Sequence, residues 1–391
     1  MTAPAAVDLA PLAQVLLVGA ALSSIVVGWV WLRARGQSGQ AWQHRLAVLT
    51  LVLTFDLVVF GAFTRLTDSG LGCPDWPGCY GHASPVGAAD HIGAAQSVMP
   101  SGPVTHGKAW VEMLHRYLAT GVGGLILVLA VASWREQRGG RGIGATWVMG
   151  WWPTATLVWV CVQGAFGAWT VTMKLRPAIV TLHLLGGMVL LAMLCVQVER
   201  NKRHLTASAP VLLDVFTALL LRLTCVLLAV QLALGGWVST NYAVLACQDF
   251  PMCQGSWWPE MRFDQGFQIW RDLGMTQSGE PVTFAALTAI HMAHRLMAYA
   301  VLLALGALAL RLHAVAPLRA QARWLAGLAA LQLGTGLANV VLGWPLVAAL
   351  LHTAGAAGLA LVLTWTVARC TASAAARSAS SPVAGSPGVS A

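Results

Sequence analysis

Charge is what this chain has least of. Asp, Glu, Lys and Arg make up 9% of its 391 residues, where a soluble domain carries roughly a quarter. With 57% hydrophobic residues and a mean hydropathy of +0.69, the chain has too little polar material to cover a globular surface, and a soluble fold is excluded. Acidic residues are the scarcer sign, 14 against 23 basic. The resulting charge of +9 does not point to nucleic acid, because the basic residues sit in short loops between apolar runs, where they set membrane topology. The first residues, Met-Thr-Ala-Pro-Ala-Ala-Val-Asp, lack arginine and any amphipathic pattern. No mitochondrial transit peptide is therefore expected, and a bacterial inner membrane is.

What is present is a series of apolar runs of about 20 residues, the length that crosses the hydrocarbon. They are expected at 11–32, 46–64, 110–133, 146–170, 178–198, 211–238, 284–310, 324–343 and 346–368. Arg33, Arg35 and Arg45 follow the first, Arg135, Arg138 and Arg141 the third, Arg200, Lys202 and Arg203 the fifth, and Arg311, Arg319 and Arg323 the seventh. All these loops fall on one side, which the positive-inside rule makes cytoplasmic. The N-terminus and the long loops 65–109 and 239–283 are then periplasmic, and the C-terminus cytoplasmic. From 371 the chain is a Ser/Ala/Pro/Gly segment expected to be a disordered tail.

The chain is also written twice. Gly61 matches Gly235, Cys73 and Cys79 match Cys247 and Cys253, and His115-Arg116 matches His294-Arg295. Gln163 with Gly167 matches Gln332 with Gly336, and His183 with Gly186 matches His352 with Gly355. The expected fold is an all-α polytopic membrane protein: two tandem four-helix bundles, 46–200 and 201–370, related by a pseudo-two-fold axis along the membrane normal. Residues 1–45 add an extra transmembrane helix and a linker.

The repeat singles out four histidines. A lone histidine in a helix is commonly a hydrogen-bonded structural residue, but His115 with His183, and His294 with His352, recur on helices running in the same direction. Such a pair can grip a metal macrocycle from both faces. A closed zinc site lacks its remaining ligands, since no cysteine or carboxylate completes a shell beside either pair; a proton relay is the other competitor. Gly186-Gly187 and Gly355 are read as room for a flat ring, although such glycines also serve plain helix packing. Arg116 and Arg295 are candidates for pairing with propionates, or for reaching the interface as arginines near helix ends do. Glu112, one turn before His115, stands where the second half has His291. It is either a carboxylate placed to act on a bound ring or the ion-pair partner of Arg116 at i+4. From this contrast the first half is expected to do chemistry and the second to carry electrons.

Cys73-Pro-Asp-Trp-Pro-Gly-Cys79 and Cys247-Gln-Asp-Phe-Pro-Met-Cys253 share the pattern Cys-x-Asp-aromatic-Pro-x-Cys. In periplasmic loops, two intraloop disulfides are the first expectation. They serve either as clasps over the outer ends of the pockets or in electron and disulfide exchange. The loop histidines His82, His91 and His106 are expected to be solvent-exposed.

The run from Phe60 to Cys79 (Phe-Gly-Ala-Phe-Thr-Arg-Leu-Thr-Asp-Ser-Gly-Leu-Gly-Cys-Pro-Asp-Trp-Pro-Gly-Cys), with Glu112-x-x-His115-Arg116, His183, His294-Arg295 and His352, resembles the haem A synthase family over about 46–369. That resemblance implies a membrane oxidoreductase converting haem O to haem A, a ring methyl becoming a formyl group through successive hydroxylations and loss of water. It further implies that His115 and His183 flank the substrate haem, that Glu112 is the catalytic carboxylate, and that His294 and His352 ligate a resident haem b. Arg65 joins Arg116 and Arg295 as a candidate propionate partner, the first cysteine pair takes a functional part and the second a structural one. Candidate partners are haem O, haem A, membrane lipid, a haem O synthase, an electron acceptor and a second copy of the chain. The extra span at 11–32 has no counterpart in the family. Competing readings are a di-haem b carrier linked to quinol, and a quinone-coupled thiol oxidase using the cysteine pairs.

Overall fold

The computed structural model describes residues 9–36, 38–138 and 148–372. Among them, nine helices are long and apolar enough to cross a membrane. They are α1 (Ala10–Arg33), α2 (Gly39–Leu66), α4 (His106–Arg138), α5 (Val148–Thr172), α6 (Pro177–Thr206), α7 (Val215–Thr240), α9 (Phe284–His313), α10 (Arg319–Val341) and α11 (Leu346–Arg369). Two short helices, α3 (Ala89–Val98) and α8 (Phe263–Gly266), lie in the long loops. The multi-pass all-helical architecture expected from the apolar runs is present.

Local chemistry sets the helix starts. Ser38, Asp214 and Thr283 cap α2, α7 and α9, each side-chain oxygen accepting a backbone N–H from the first turn, while Pro177 opens α6, where a missing N–H is harmless. The Asp214 cap explains one shift. The sixth span, expected from 211, begins at Val215, and Val211–Leu213 forms strand β1, paired in parallel with strand β2, Cys370–Ala372. The stretch expected as tail from 371 thus starts with paired backbone; residues 373–391, like Arg141 and the first residues of the expected fourth span, lie outside the described residues.

Helices α2, α4, α5 and α6 close a ring of contacts, and α7, α9, α10 and α11 close a second one in the same order. Between the rings α2 packs on α11, α7 on α6, and α6 on α11. Exchanging the halves swaps the first two contacts and returns the third onto itself, as an isologous two-fold interface requires. Near the cysteine loops the seam is polar: Arg65 donates to the Ser239 carbonyl at 2.7 Å, Tyr242 reaches Asp68 at 2.7 Å, and Thr181 and Thr240 share a hydrogen bond of 3.1 Å.

Helix α1 lies outside the repeat and packs on α4. Its buried residues, Pro11, Val15, Gly19, Ser23 and Val30, make one narrow stripe. The fit is close enough to require small residues, as in membrane helix pairs generally: a Cβ on Gly19 would stand 2.6 Å from Thr120 Cβ, and one on Gly124 would stand 2.6 Å from Ser23 Oγ. Gly19→Leu is therefore expected to push α1 off α4 and lower the Tm of the detergent-purified protein, overpacking costing about 1–3 kcal/mol. Gly28→Leu on the same helix, where a Cβ meets nothing within 4 Å, is expected to leave the Tm unchanged.

Candidate functional site

One cavity of about 1350 Å³ runs through both halves, and its wall includes Glu112, His115 and His183 from the first and His291, His294 and His352 from the second. All four repeated histidines are thus brought to one continuous space. Among the described residues Glu112 is the one carboxylate on its wall.

Each of the four imidazoles rests on a glycine of the neighbouring helix. A Cβ on Gly61 would stand 3.0 Å from His115, on Gly235 3.0 Å from His294, on Gly336 3.3 Å from His352, and on Gly167 3.5 Å from His183. These are the glycines that mark the repeat in sequence, and the histidines explain them. Gly186 and Gly355, read from sequence as room for a ring, lie instead against the amides of Gln163 and Gln332, where any Cβ would collide. Their absent side chains make room for glutamine.

In the second half the His294 and His352 rings meet edge-on, with centroids 6.5 Å apart and planes at 76°. Two imidazole–metal bonds of about 2 Å each, with the inner radius of each ring, would fill nearly all of that gap, so His294 and His352 are spaced as residues that could together hold a haem iron. Thr335 Oγ1 donates to the Leu331 carbonyl at 2.7 Å and lies 2.9 Å from His352 Nδ1. A hydroxyl has one proton to give, so Nδ1 donates to Thr335 and Nε2 carries the free lone pair, the state a metal ligand needs. Thr335 escapes comparison of the halves, because its counterpart is Phe166. In the first half His115 stacks near Phe60, ring centroids 6.2 Å apart, and His183 Nδ1 is buried without a hydrogen-bond partner among the described residues.

The cysteine loops sit over these pockets and are built alike. Cys73 is bonded to Cys79 and Cys247 to Cys253, with Cα–Cα distances of 4.9 and 4.8 Å, and all four cysteines are buried. The shared aspartate closes each ring: Asp75 accepts from the N–H groups of Tyr80 and Gly81, Asp249 from those of Gln254 and Gly255. These donors, that of Gly255 foremost, hold the Asp249 carboxyl below its ordinary range. Buried sulfurs suit the clasp reading better than exchange with an external partner.

The arginine after each histidine ties the clasp to its helix. Arg116 donates to the carbonyls of Asp75, Pro77 and Gly78 and pairs with Glu112. Arg295 donates to those of Asp249, Pro251 and Met252. These partners account for both guanidiniums without a propionate. Arg65 lines the cavity, but it too has protein partners: Ser239, Asp68 and the Tyr242 ring. Glu112 is 5% exposed, and its second oxygen accepts the Cys73 N–H at 2.8 Å. Its counterpart His291 donates from Nδ1 to the Ala243 carbonyl at 3.0 Å and turns Nε2 toward Arg295 at 3.4 Å. Both positions bridge arginine and loop backbone, but only one supplies a carboxylate.

His82, His91 and His106 are exposed. His91 stacks on Tyr80 at 5.4 Å, and among the described residues no cluster of three or more metal-ligating side chains exists.

A family model described as COX15-CtaA, cytochrome oxidase assembly protein, matches residues 44–364. Among similar proteins, the heme A synthase of Shewanella oneidensis is 38% identical over 316 residues, covering 81% of this chain and 92% of the relative. That of Rhizorhabdus wittichii is 26% identical over 338 residues, covering 81% and 91%, and that of a Chelativorans species 28% identical over 335 residues, covering 80% and 86%. The match takes in both repeats, both cysteine loops and all four histidines while beginning after α1, and on that extent the chain belongs to the COX15-CtaA family of cytochrome oxidase assembly proteins.

Proposed function

We propose that this chain is a haem A synthase, oxidising a methyl group of haem O to the formyl group of haem A. The observation that carries the reading is the pair of histidine-lined pockets built on the same histidines, glycines and cysteine loops, in which the residue one turn before the first histidine is Glu112 in one and His291 in the other. His115 and His183 hold the substrate, and Glu112 is the carboxylate beside it. His294 and His352 hold haem b, which when bound supplies one-electron transfer. The supporting contacts are the 6.5 Å separation of those two rings and the Thr335 contact that leaves His352 Nε2 bare.

This chain's own residues do the positioning. Arg116, held on three loop carbonyls, fixes Glu112 from one side while the Cys73 N–H fixes it from the other. The first disulfide thereby takes its functional part, because Cys73 presents the donor that orients the carboxylate. The second pair holds the equivalent loop, where Arg295 does the same for a histidine. Oxidation of the methyl to the formyl group, with water supplying the oxygen, releases protons and electrons. Glu112, the one carboxylate on the cavity wall among the described residues, takes the protons, and the second half is the exit for electrons toward an acceptor. The protein lies in the bacterial inner membrane with the cysteine loops and N-terminus periplasmic and the C-terminus cytoplasmic, as the basic loops at the opposite end direct.

Glu112→Ala is expected to abolish haem A formation while the purified protein keeps its haem b and the corresponding visible spectrum. Retention of haem A formation would sink the assignment, and retained quinol-linked electron transfer with no haem A in the parent chain would favour the carrier reading. Gly235→Leu drives a side chain into His294 and is expected to lower bound haem b by at least about half, overpacking at 1–3 kcal/mol being enough to unseat a ligand. Gly164→Leu, remote from His294 and His352, is expected to leave haem b content unchanged in pyridine haemochrome analysis.

A further inference from the structure

The two pockets differ on the side facing away from the bundle axis, and the difference is consistent. Gly123, Gly124 and Gly164 of the first half stand where the second has Leu302, Leu303 and Leu333. A Cβ on Gly123 or Gly164 would meet nothing within 4 Å, so these glycines are not demanded by packing; open space lies beside them. Gly124 belongs to the seam with α1, and among the described residues the second half has no helix in the place of α1. Leu303 there is 76% exposed.

The open space has walls. Along α4 the cavity lining runs from His115 through Ala119 and Gly123 to Leu127, about 18 Å at 1.5 Å per residue. On one flank stand Leu12, Leu16 and Ala20 of α1; on the other stand Cys161 and Gly164 of α5. The result is an apolar groove floored by α4, walled by α1 and α5, and continuous with the His115–His183 pocket. At its α5 wall, next to Gly164, Gln163 is 7% exposed and lines the same cavity, and its Oε1 has no hydrogen-bond partner among the described residues. A buried amide oxygen left unpaired is unfavourable, and it calls for a donor on the ligand.

We propose that this groove, with α1 as its outer wall, receives the hydroxyfarnesyl substituent that distinguishes haem O from haem b, Gln163 Oε1 accepting its hydroxyl. The inference rests on the haem O reading above and adds a specificity device to it. A long isoprenoid chain suits an apolar trough of that length, and its hydroxyl supplies the donor the glutamine lacks. In the second half leucines stand where the trough would be, and no extra helix walls it, which suits a haem without a tail. Helix α1, outside the family match, thereby gains a role, shielding from lipid the side on which the tail lies.

The test is a visible-absorption titration of the full-length purified protein, its second-half haem in place, with haem O and separately with protohaem. Wild type is expected to bind haem O at least about tenfold more tightly, each buried methylene adding severalfold to affinity. Gly123→Leu is expected to erase that preference by weakening haem O about tenfold while protohaem binding stays within about twofold. Gly164→Leu narrows the groove from the opposite wall and is expected to do the same, so it decides the matter if Gly123→Leu loses the second-half haem spectrum through misfolding. Equal wild-type affinity for the two haems would overturn the groove and leave the trough to lipid acyl chains. So would loss of both affinities in parallel in variants that keep the second-half spectrum. Failure of haem O to bind the first half of wild type would overturn the haem O reading itself and the groove with it.

Discussion

A guanidinium at the mouth of each bundle joins three things: the helix that carries the first histidine, the small disulfide ring above it, and the residue one turn before that histidine. Arg116 and Arg295 make these joints with backbone carbonyls of the rings. A cation at that depth is tolerated only where acceptors surround it, and the rings supply them. The aspartate in each ring, accepting two backbone N–H groups, shapes the loop so that its carbonyls converge. Without the arginine the ring carbonyls would lose buried donors; without the ring the arginine would lose its solvation. The cap and the histidine helix are therefore one mechanical unit, and whatever stands at position 112 or 291 is held with it.

The rest of the site follows from helix spacing. Every imidazole leans on a glycine of an adjacent helix, so the distance between facing histidines is set by backbone contacts, which vary less than side-chain packing. That is why the repeat is legible in the sequence. Glycines at fixed offsets from histidines stand in both copies because a Cβ at Gly61, Gly235 or Gly336 would crowd an imidazole and one at Gly167 would touch it. The nine spans are legible because hydrocarbon thickness imposes a length on apolar runs, and the parallel repeat because matched motifs recur in the same order.

Other features are hidden for physical reasons. Strands β1 and β2 join residues far apart in sequence through three residues each, too short for any period to show. Gly186 and Gly355 mislead because a glycine in a helix says that something approaches closely without saying what, and here it is a glutamine amide. Thr335 has no twin, so a comparison of copies passes over it. The seam of α1 on α4 is equally silent, since Gly19 and Gly124 become informative only when a partner helix is known to lie against them.

The contrast between Glu112 and His291 has an electrostatic consequence beyond the local chemistry. In the first half the charge of Arg116 is answered by a carboxylate in direct contact. In the second, Arg295 meets an imidazole, carbonyl dipoles and the Phe250 ring, with no carboxylate in direct contact among the described residues, while the ring aspartates are common to both halves and cancel from the comparison. At this position the second pocket thus lacks the negative charge that Glu112 gives the first, in a medium where charges are weakly screened. Such a field favours the electron-rich state of a bound redox group. If electrons leave a substrate held by His115 and His183, this asymmetry runs their energy downhill toward His294 and His352. The same replacement that gives the first pocket its carboxylate thus gives the second its pull, and both follow from one position in a frame whose histidines and cysteine loops are duplicated.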